Sequence, residues 1–318
     1  MSNNLNVLLV GAGYMGKEYG KILNALNVPY SVVCRSDASA HKFNEELGVM
    51  PISGGVENAL KQIKEKPEIA IVAVNIEFLS STVIALLNNG IKEILVEKPA
   101  GLNKSEIQMV YETSKKMNAK VYVGYNRRFY SSTEKALEII SKDGGISSFN
   151  FEFTEWGFQI EKTSHAQEVK EEWLLANSSH VIDLAFFLGG NPREMCSFNS
   201  GHLDWHSKAS KYVGAGITDK GVLFSYHANW VAPGRWSVEL LTKEHRLFFR
   251  PMEKLAIQKK GSVKVENVEL NDQLDIDFKP GLYKQVETFL YNKKDDRLLT
   301  IDEQLKHLEF YEKIDGMN

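Results

Sequence analysis

Gly11-Ala12-Gly13-Tyr14-Met15-Gly16 sets three glycines at a spacing suited to cradling phosphate. Gly11 can make a tight turn, Gly13 lets the backbone approach a pyrophosphate, and Gly16 permits close helix–sheet contact. The apolar run Asn6 to Val10 before it reads as a buried strand, and Tyr19, Ile22, Leu23 and Leu26 after it have helical spacing. A helix beginning there aims N–H donors at an anion. Tyr14 and Met15 join the glycines as candidate dinucleotide contacts. Arg35-Ser36 ends the second strand, where an NAD site usually has a carboxylate for the ribose. A guanidinium can instead pair with a 2′-phosphate and stack on adenine, which favours NADP(H) over NAD(H). In the alternative, Arg35 is solvated and Asp37 bends back to the ribose.

Three further segments carry a more specific pattern. Glu97-Lys98-Pro99 follows the strand Ile94 to Val96, Gly124-Tyr125-Asn126-Arg127-Arg128-Phe129 follows the strand ending at Val123, and Ser179-His180-Val181-Ile182-Asp183-Leu184 lies in a helical stretch. Together with the glycine loop, the chain resembles the glucose–fructose oxidoreductase / inositol dehydrogenase (Gfo/Idh/MocA) family over nearly its whole length. The resemblance implies that Lys98, turned by a cis Lys98–Pro99 bond, serves both nicotinamide and substrate. It implies that His180 is the catalytic histidine of a substrate helix, and that the 124–129 segment joins two domains. Asn75 and Glu97 complete the expected cofactor set of Gly11, Gly13, Tyr14, Met15, Gly16, Arg35, Ser36 and Lys98.

The chemistry fits that assignment. Oxidising a secondary alcohol needs a proton acceptor while hydride leaves for a nicotinamide. A lysine starts near pKa ~10.4 and is lowered by burial or a neighbouring positive charge, and a histidine exchanges protons near neutrality with little shift. The chain departs from the family at one position, where a helix aspartate four residues before the histidine is replaced by Ala176. Asn177 can bond a sugar hydroxyl but cannot take a proton. Asp183, three residues past His180, can bind substrate or hold the imidazole. Tyr125, Arg127 and Arg128 fall at the expected domain junction, where interdomain packing is the alternative role. Tyr125, Arg127, Trp156 and Tyr283 join Asn177 and Asp183 as candidate substrate contacts. The five tryptophans, Trp156, Trp173, Trp205, Trp230 and Trp236, include candidate sugar-stacking faces, although tryptophan is more often core. His202 and His206 are four apart in a segment that reads as loop, so no metal is assigned.

The expected activity is reversible hydride transfer to or from a hydroxyl or keto carbon of a sugar, polyol or nucleotide-linked sugar. A non-catalytic dinucleotide-binding sensor of the same fold is the alternative, and a dehydratase or glycosidase using transient oxidation is a third.

These residues need a scaffold, and 318 residues suffice for two domains. Short strands alternating with helices to about residue 122 predict a doubly wound parallel sheet, the Rossmann arrangement, over 1–122. Helices at Ser132 to Ile140 and Trp173 to Leu188 follow. From Met195 to Leu270, strand patterns broken by turn signals predict a large, mostly antiparallel open sheet in an α+β domain over 123–318. The closing helices, within 281–318, are candidates for packing back toward the first domain. Apolar residues beyond one buried face, as in Val222-Leu223-Phe224 and Leu247-Phe248-Phe249, predict a homodimer or homotetramer through that sheet. A net charge of −3 gives no general pull toward nucleic acid or anionic membrane. Met1-Ser2-Asn3-Asn4 lacks the basic start of a secretory signal, and two cysteines suit a reducing cytoplasm.

Overall fold

The computed structural model describes residues 5–63 and 66–316, so the Met1–Asn4 stretch read for a secretory signal lies outside the described residues. The chain divides into two units, Met1–Tyr125 with Leu282–Lys306, and Asn126–Gly281 with His307–Asn318.

In the first unit, Val7–Val10 (β1), Tyr14–Ala25 (α1), Tyr30–Val33 (β2), Asp37–Leu47 (α2), Val56–Gln62 (α3) and Ile69–Val72 (β3) come first. Leu79–Asn88 (α4), Glu93–Glu97 (β4), Lys104–Lys116 (α5) and Lys120–Gly124 (β5) follow. The sheet order is β2-β1-β3-β4-β5, all parallel, so the chain reverses direction across the sheet between β1 and β3. Every residue of β1 and β3 is buried, as expected of strands covered on both faces. Tyr19, Ile22 and Leu23 of α1 are wholly buried. Gly48 closes α2 in the left-handed conformation at φ 71°, the usual C-terminal stop. Among the described residues no helix is long and apolar enough to cross a membrane.

The second unit begins with Ser131–Lys142 (α6), Ile146–Glu152 (β6), Gly157–Ile160 (α7) and Gln167–Glu171 (α8). A π-helical turn, Leu174–Ser178, then opens Ser179–Gly189 (α9). The stretch expected as one regular helix from Trp173 is thus widened just before His180. Strands Pro192–Ser200 (β7), Lys211–Thr218 (β8), Leu223–Asn229 (β9), Ser237–Thr242 (β10), His245–Phe249 (β11), Ala256–Lys259 (β12) and Val265–Asn267 (β13) precede Gln273–Asp277 (α10). They form one sheet with β6, in the order β13-β12-β11-β10-β6-β9-β8-β7. All neighbours are antiparallel except β6 with β9.

The core of this unit is an aromatic row. Phe149, Phe151 and Phe153 alternate onto the face covered by α9, and Phe186 meets Phe149 and Phe151 edge-on at centroid distances of 6.0 and 5.4 Å. Gly189 is required at that contact, because a Cβ there would stand 2.2 Å from the Phe149 ring. The chain closes with Leu282–Tyr291 (α11), Leu299–Thr300 (β14) and Ile301–Ile314 (α12). Helix α11 packs on α1, and β14 adds antiparallel to β5.

Candidate active site

The glycine loop sits where β1 meets α1. Gly11 has φ +120°, and a Cβ on it would lie 2.2 Å from the Ala73 carbonyl oxygen after β3. A Cβ on Gly16 would stand 2.0 Å from the Gly11 oxygen, whereas one on Gly13 would meet no atom within 4 Å. Two glycines are therefore demanded by packing, and the third keeps its surroundings open. Gly13 caps α1, whose first turn holds no acidic residue, so the positive helix end stays available to an anion. Tyr14 is 67% exposed. The residues present fit a dinucleotide pyrophosphate.

Arg35 is exposed at the end of β2, with its guanidinium carbon 4.3 Å from the Phe78 ring centroid. Ser36 caps α2: its Oγ accepts from the Ser39 backbone N–H at 3.3 Å and donates to Ser39 Oγ at 3.0 Å. Asn75 follows β3 and donates from Nδ2 to Glu77 Oε1 at 3.4 Å. Glu97 ends β4 and accepts from the buried Tyr19 hydroxyl at 2.8 Å. Burial, with the Glu97 charge beside it, holds the Tyr19 hydroxyl well above its ordinary pKa, so it remains a donor. The Lys98–Pro99 peptide is cis. Gln304 of α12, which the sequence reading did not single out, donates from Nε2 to the Pro99 carbonyl at 3.2 Å. It also lies 3.2 Å from the buried Tyr125 hydroxyl. The turn bearing Lys98 is therefore tied to the end of β5 through a wholly buried amide. Tyr283 is half-buried in the first turn of α11, and burial raises its hydroxyl pKa.

In the second unit, His180 is half-buried in the first turn of α9, its ring 6.1 Å from that of Trp236. Arg127 stacks on the other ring partner, its guanidinium carbon 4.9 Å from the Trp236 centroid. Arg235 lies over both Trp236 and Trp156, at 4.5 and 5.2 Å. Trp156 is 42% exposed and donates its indole N–H to the Gly234 carbonyl at 2.9 Å. Trp173, Trp205, Trp230 and Trp236 are core residues.

Asp183 has a different setting from the substrate contact expected of it. Its oxygens accept from Arg128 Nε at 2.8 Å and Nη2 at 2.6 Å, and both side chains are buried. A bidentate buried pair fixes α9 to the 126–129 turn and leaves this carboxylate committed. His206 is wholly buried between the Lys170 carbonyl and the Tyr212 hydroxyl, each 3.1 Å away, while His202 is exposed. Burial lowers the His206 pKa. No group of three His, Cys, Asp or Glu side chains able to hold a metal ion occurs among the described residues.

A second residue the sequence reading missed is Glu155, which follows β6 and is 1% exposed. Oε1 accepts from Asn177 Nδ2 at 2.9 Å and Ser178 Oγ at 2.8 Å, and Oε2 accepts from Arg235 Nη1 at 3.1 Å. Burial pushes its carboxyl pKa up against those three partners. Glu155, Trp156, Trp205, Trp230 and Arg235 contribute to the lining of a pocket of about 900 Å³ in this unit. The only sequence signal was the alternation Phe149, Phe151, Phe153, which puts residue 155 next in the inward row.

A family model described as an oxidoreductase family with an NAD-binding Rossmann fold (Gfo/Idh/MocA) matches residues 5–125. No curated protein matches the chain. Among solved structures, the chain is similar to dehydrogenase MviM from Clostridium difficile at 19% identity and TM-score 0.79, covering 99% of this chain and 100% of that one. It is similar to UDP-N-acetylglucosamine 3-dehydrogenase GnnA from Acidithiobacillus ferrooxidans at 13% identity and TM-score 0.74, covering 98% and 97%. Levoglucosan dehydrogenase, solved with NADH and L-sorbose, gives 17% identity and TM-score 0.73, covering 98% and 96%. At these identities the likeness is one of fold. Residues 5–125 thus match the NAD-binding Rossmann domain of the Gfo/Idh/MocA oxidoreductases, and the rest of the chain is similar to these dehydrogenases in fold.

Proposed function

We propose that this protein is an NADP(H)-preferring dehydrogenase or reductase acting on a hydroxyl or keto carbon of a sugar, polyol or nucleotide-linked sugar. The observation that carries the reading is the phosphate cradle at Gly11, Gly13 and Gly16, open at Gly13, inside the family-matched region. A bound nicotinamide dinucleotide supplies the hydride donor or acceptor. The Gly13–Gly16 turn and the start of α1 hold its pyrophosphate, with Tyr14, Met15, Asn75 and Glu97 lining the site. Arg35 and Ser36 receive the 2′-phosphate, and the exposed guanidinium of Arg35 supports that preference. Lys98 and His180 handle the alcohol proton, and Asn177, Arg127, Trp156, Tyr125 and Tyr283 contact substrate. The sugar class rests on the neighbours: one acts on UDP-N-acetylglucosamine, and another was solved with L-sorbose.

The unpaired Cys34 and Cys196 suit a reducing cytoplasm. We further place a homo-oligomer contact on the open sheet face, where Phe198, Val213 and Leu223 are 70, 52 and 61% exposed.

The test is absorbance at the reduced-nicotinamide band during a screen of sugars and keto-sugars. Once a substrate is found, Lys98→Ala and His180→Ala should each slow turnover by about 10²–10⁴-fold, the usual contribution of a general acid–base group. Cofactor affinity should change far less for His180→Ala. Full activity in both variants would remove the catalytic assignment. Dinucleotide binding with no turnover on any sugar would support the sensor instead.

A further inference from the structure

The helix start that bears His180 has no carboxylate of its own, because the residue four positions earlier is Ala176. The fold brings one from another element. Glu155 reaches the Asn177–Ser178 turn from the end of β6 and bonds both side chains with one oxygen. Its second oxygen holds Arg235. Arg235 stacks on Trp236, and Trp236 faces His180. The contacts close a ring, from His180 to Trp236, Arg235 and Glu155, then back through Ser178 along the chain to His180.

Two donors, one on Trp236 and one on its stacking partner Arg127, point to a ligand. The Trp236 indole N–H and Arg127 Nε are buried and have no acceptor, although their side chains stack on each other. An unsatisfied buried donor costs about 1–3 kcal/mol, so two of them on a pair of stacked side chains point to acceptor atoms supplied by a ligand. Trp156, its ring half exposed and covered on one side by Arg235, adds an apolar face suited to a sugar ring.

We propose that Glu155 is a positioning residue of the substrate site, clamping the Asn177–Ser178 turn to Arg235. In that clamp His180 and Trp236 face each other while the Trp236 and Arg127 donors receive a substrate oxygen. The proposal rests on the reading of His180 as the substrate-side proton group. Burying a carboxylate is unfavourable without full pairing, and here all three partners come from the two segments that must be held in register. Glu155 is therefore more than a buried counter-ion for Arg235, whose side chain is 46% exposed and has no need of a buried partner.

The experiment compares Glu155→Gln, Glu155→Asp and Arg235→Gln in the full chain. Gln keeps the size, but with its oxygen accepting from Asn177 and Ser178 its N–H₂ faces Arg235. With its oxygen on Arg235 its N–H₂ faces Asn177 and Ser178, so one side of the clamp is lost either way. Arg235→Gln breaks the same clamp from its exposed side, so it reports even where Glu155→Gln fails to fold. With a turned-over sugar, both Gln variants should lower kcat/KM about 10²-fold, the scale of a misplaced group, with the larger part in KM. NADPH affinity should stay within about twofold, and Glu155→Asp should recover part of the loss. The Trp236 indole N–H resonance, assigned through Trp236→Phe, should move in both Gln variants with no substrate present. Wild-type kcat/KM in folded Gln variants would overturn the proposal while leaving the sugar reading intact. Absence of turnover in the wild type would defeat the sugar reading, and an unmoved Trp236 resonance would then still overturn the clamp.

Discussion

Under the proposed function, Arg35 is the residue that sets the preference for NADP(H). It stands exposed where β2 ends, and no carboxylate occupies the strand end itself. Ser36 is already engaged as the cap of α2, so in the proposed site the guanidinium would be the main phosphate contact of the pair. Arg35→Ala should weaken NADP(H) by roughly 1.5–3 kcal/mol, the range for a hydrogen bond to a charged group, and leave NAD(H) nearly unchanged. Titrating both dinucleotides against wild type and variant checks this. Tighter binding of NAD(H) by the wild type would contradict the assignment. Asp183 teaches the opposite lesson at the same scale. Its place one turn past His180 suggested a substrate contact, yet a bidentate guanidinium one segment away takes both its oxygens.

Among the elements, the π-helical turn Leu174–Ser178 is the feature that reshapes the entry to α9. It carries Ala176, 3% exposed, beside the Asn177 and Ser178 side chains that hold Glu155. π turns concentrate at functional sites because the extra residue re-aims its neighbours. Ala176→Asp should therefore fail to restore a family-like site. The new carboxylate would be buried next to residues already serving another carboxylate, losing hydration and meeting like charge. We expect a loss of at least about 1–3 kcal/mol, the desolvation of one unsatisfied buried group, read as a lower urea midpoint. An unchanged midpoint with new activity on simple polyols would mean that the site is a degraded version of the family's, not a rebuilt one.

For the molecule as a whole, the open face of the second sheet is the feature without an internal explanation. Burial alternates along β8 and β9, and the outward row includes Val213 and Leu223 as well as Lys211, Ser225 and His227. Phe198 on β7 extends the apolar part. Patches of this kind usually mark interfaces, and closed symmetric assemblies are their common outcome. Light scattering at micromolar concentration should give a dimer or tetramer, and Leu223→Lys with Phe198→Lys should shift it to the monomer. A monomeric wild type would refute the interface.

Reading the chain alone captured what depends on local pattern. Strand β1, the glycine turn and α1 were legible together because hydrophobic period and glycine spacing act over a dozen residues. The parallel strands β3 and β4 were legible as unbroken apolar runs, and the start of α9 through its motif. Strand β6 was not, since Ile146–Glu152 mixes serine and asparagine with phenylalanine and only its pairing with β9 and β10 makes it a central strand. Short β14 depends entirely on β5 for its pairing. The same physics governed the site. Sequence motifs could propose Lys98 and His180 as a proton-handling pair, because such motifs keep a fixed local spacing. They could not find Gln304, 205 residues from Pro99, or Glu155, 22 residues from Asn177. Those roles come from side chains that meet only after the sheets form, when burial turns a distant amide or carboxylate into a required partner.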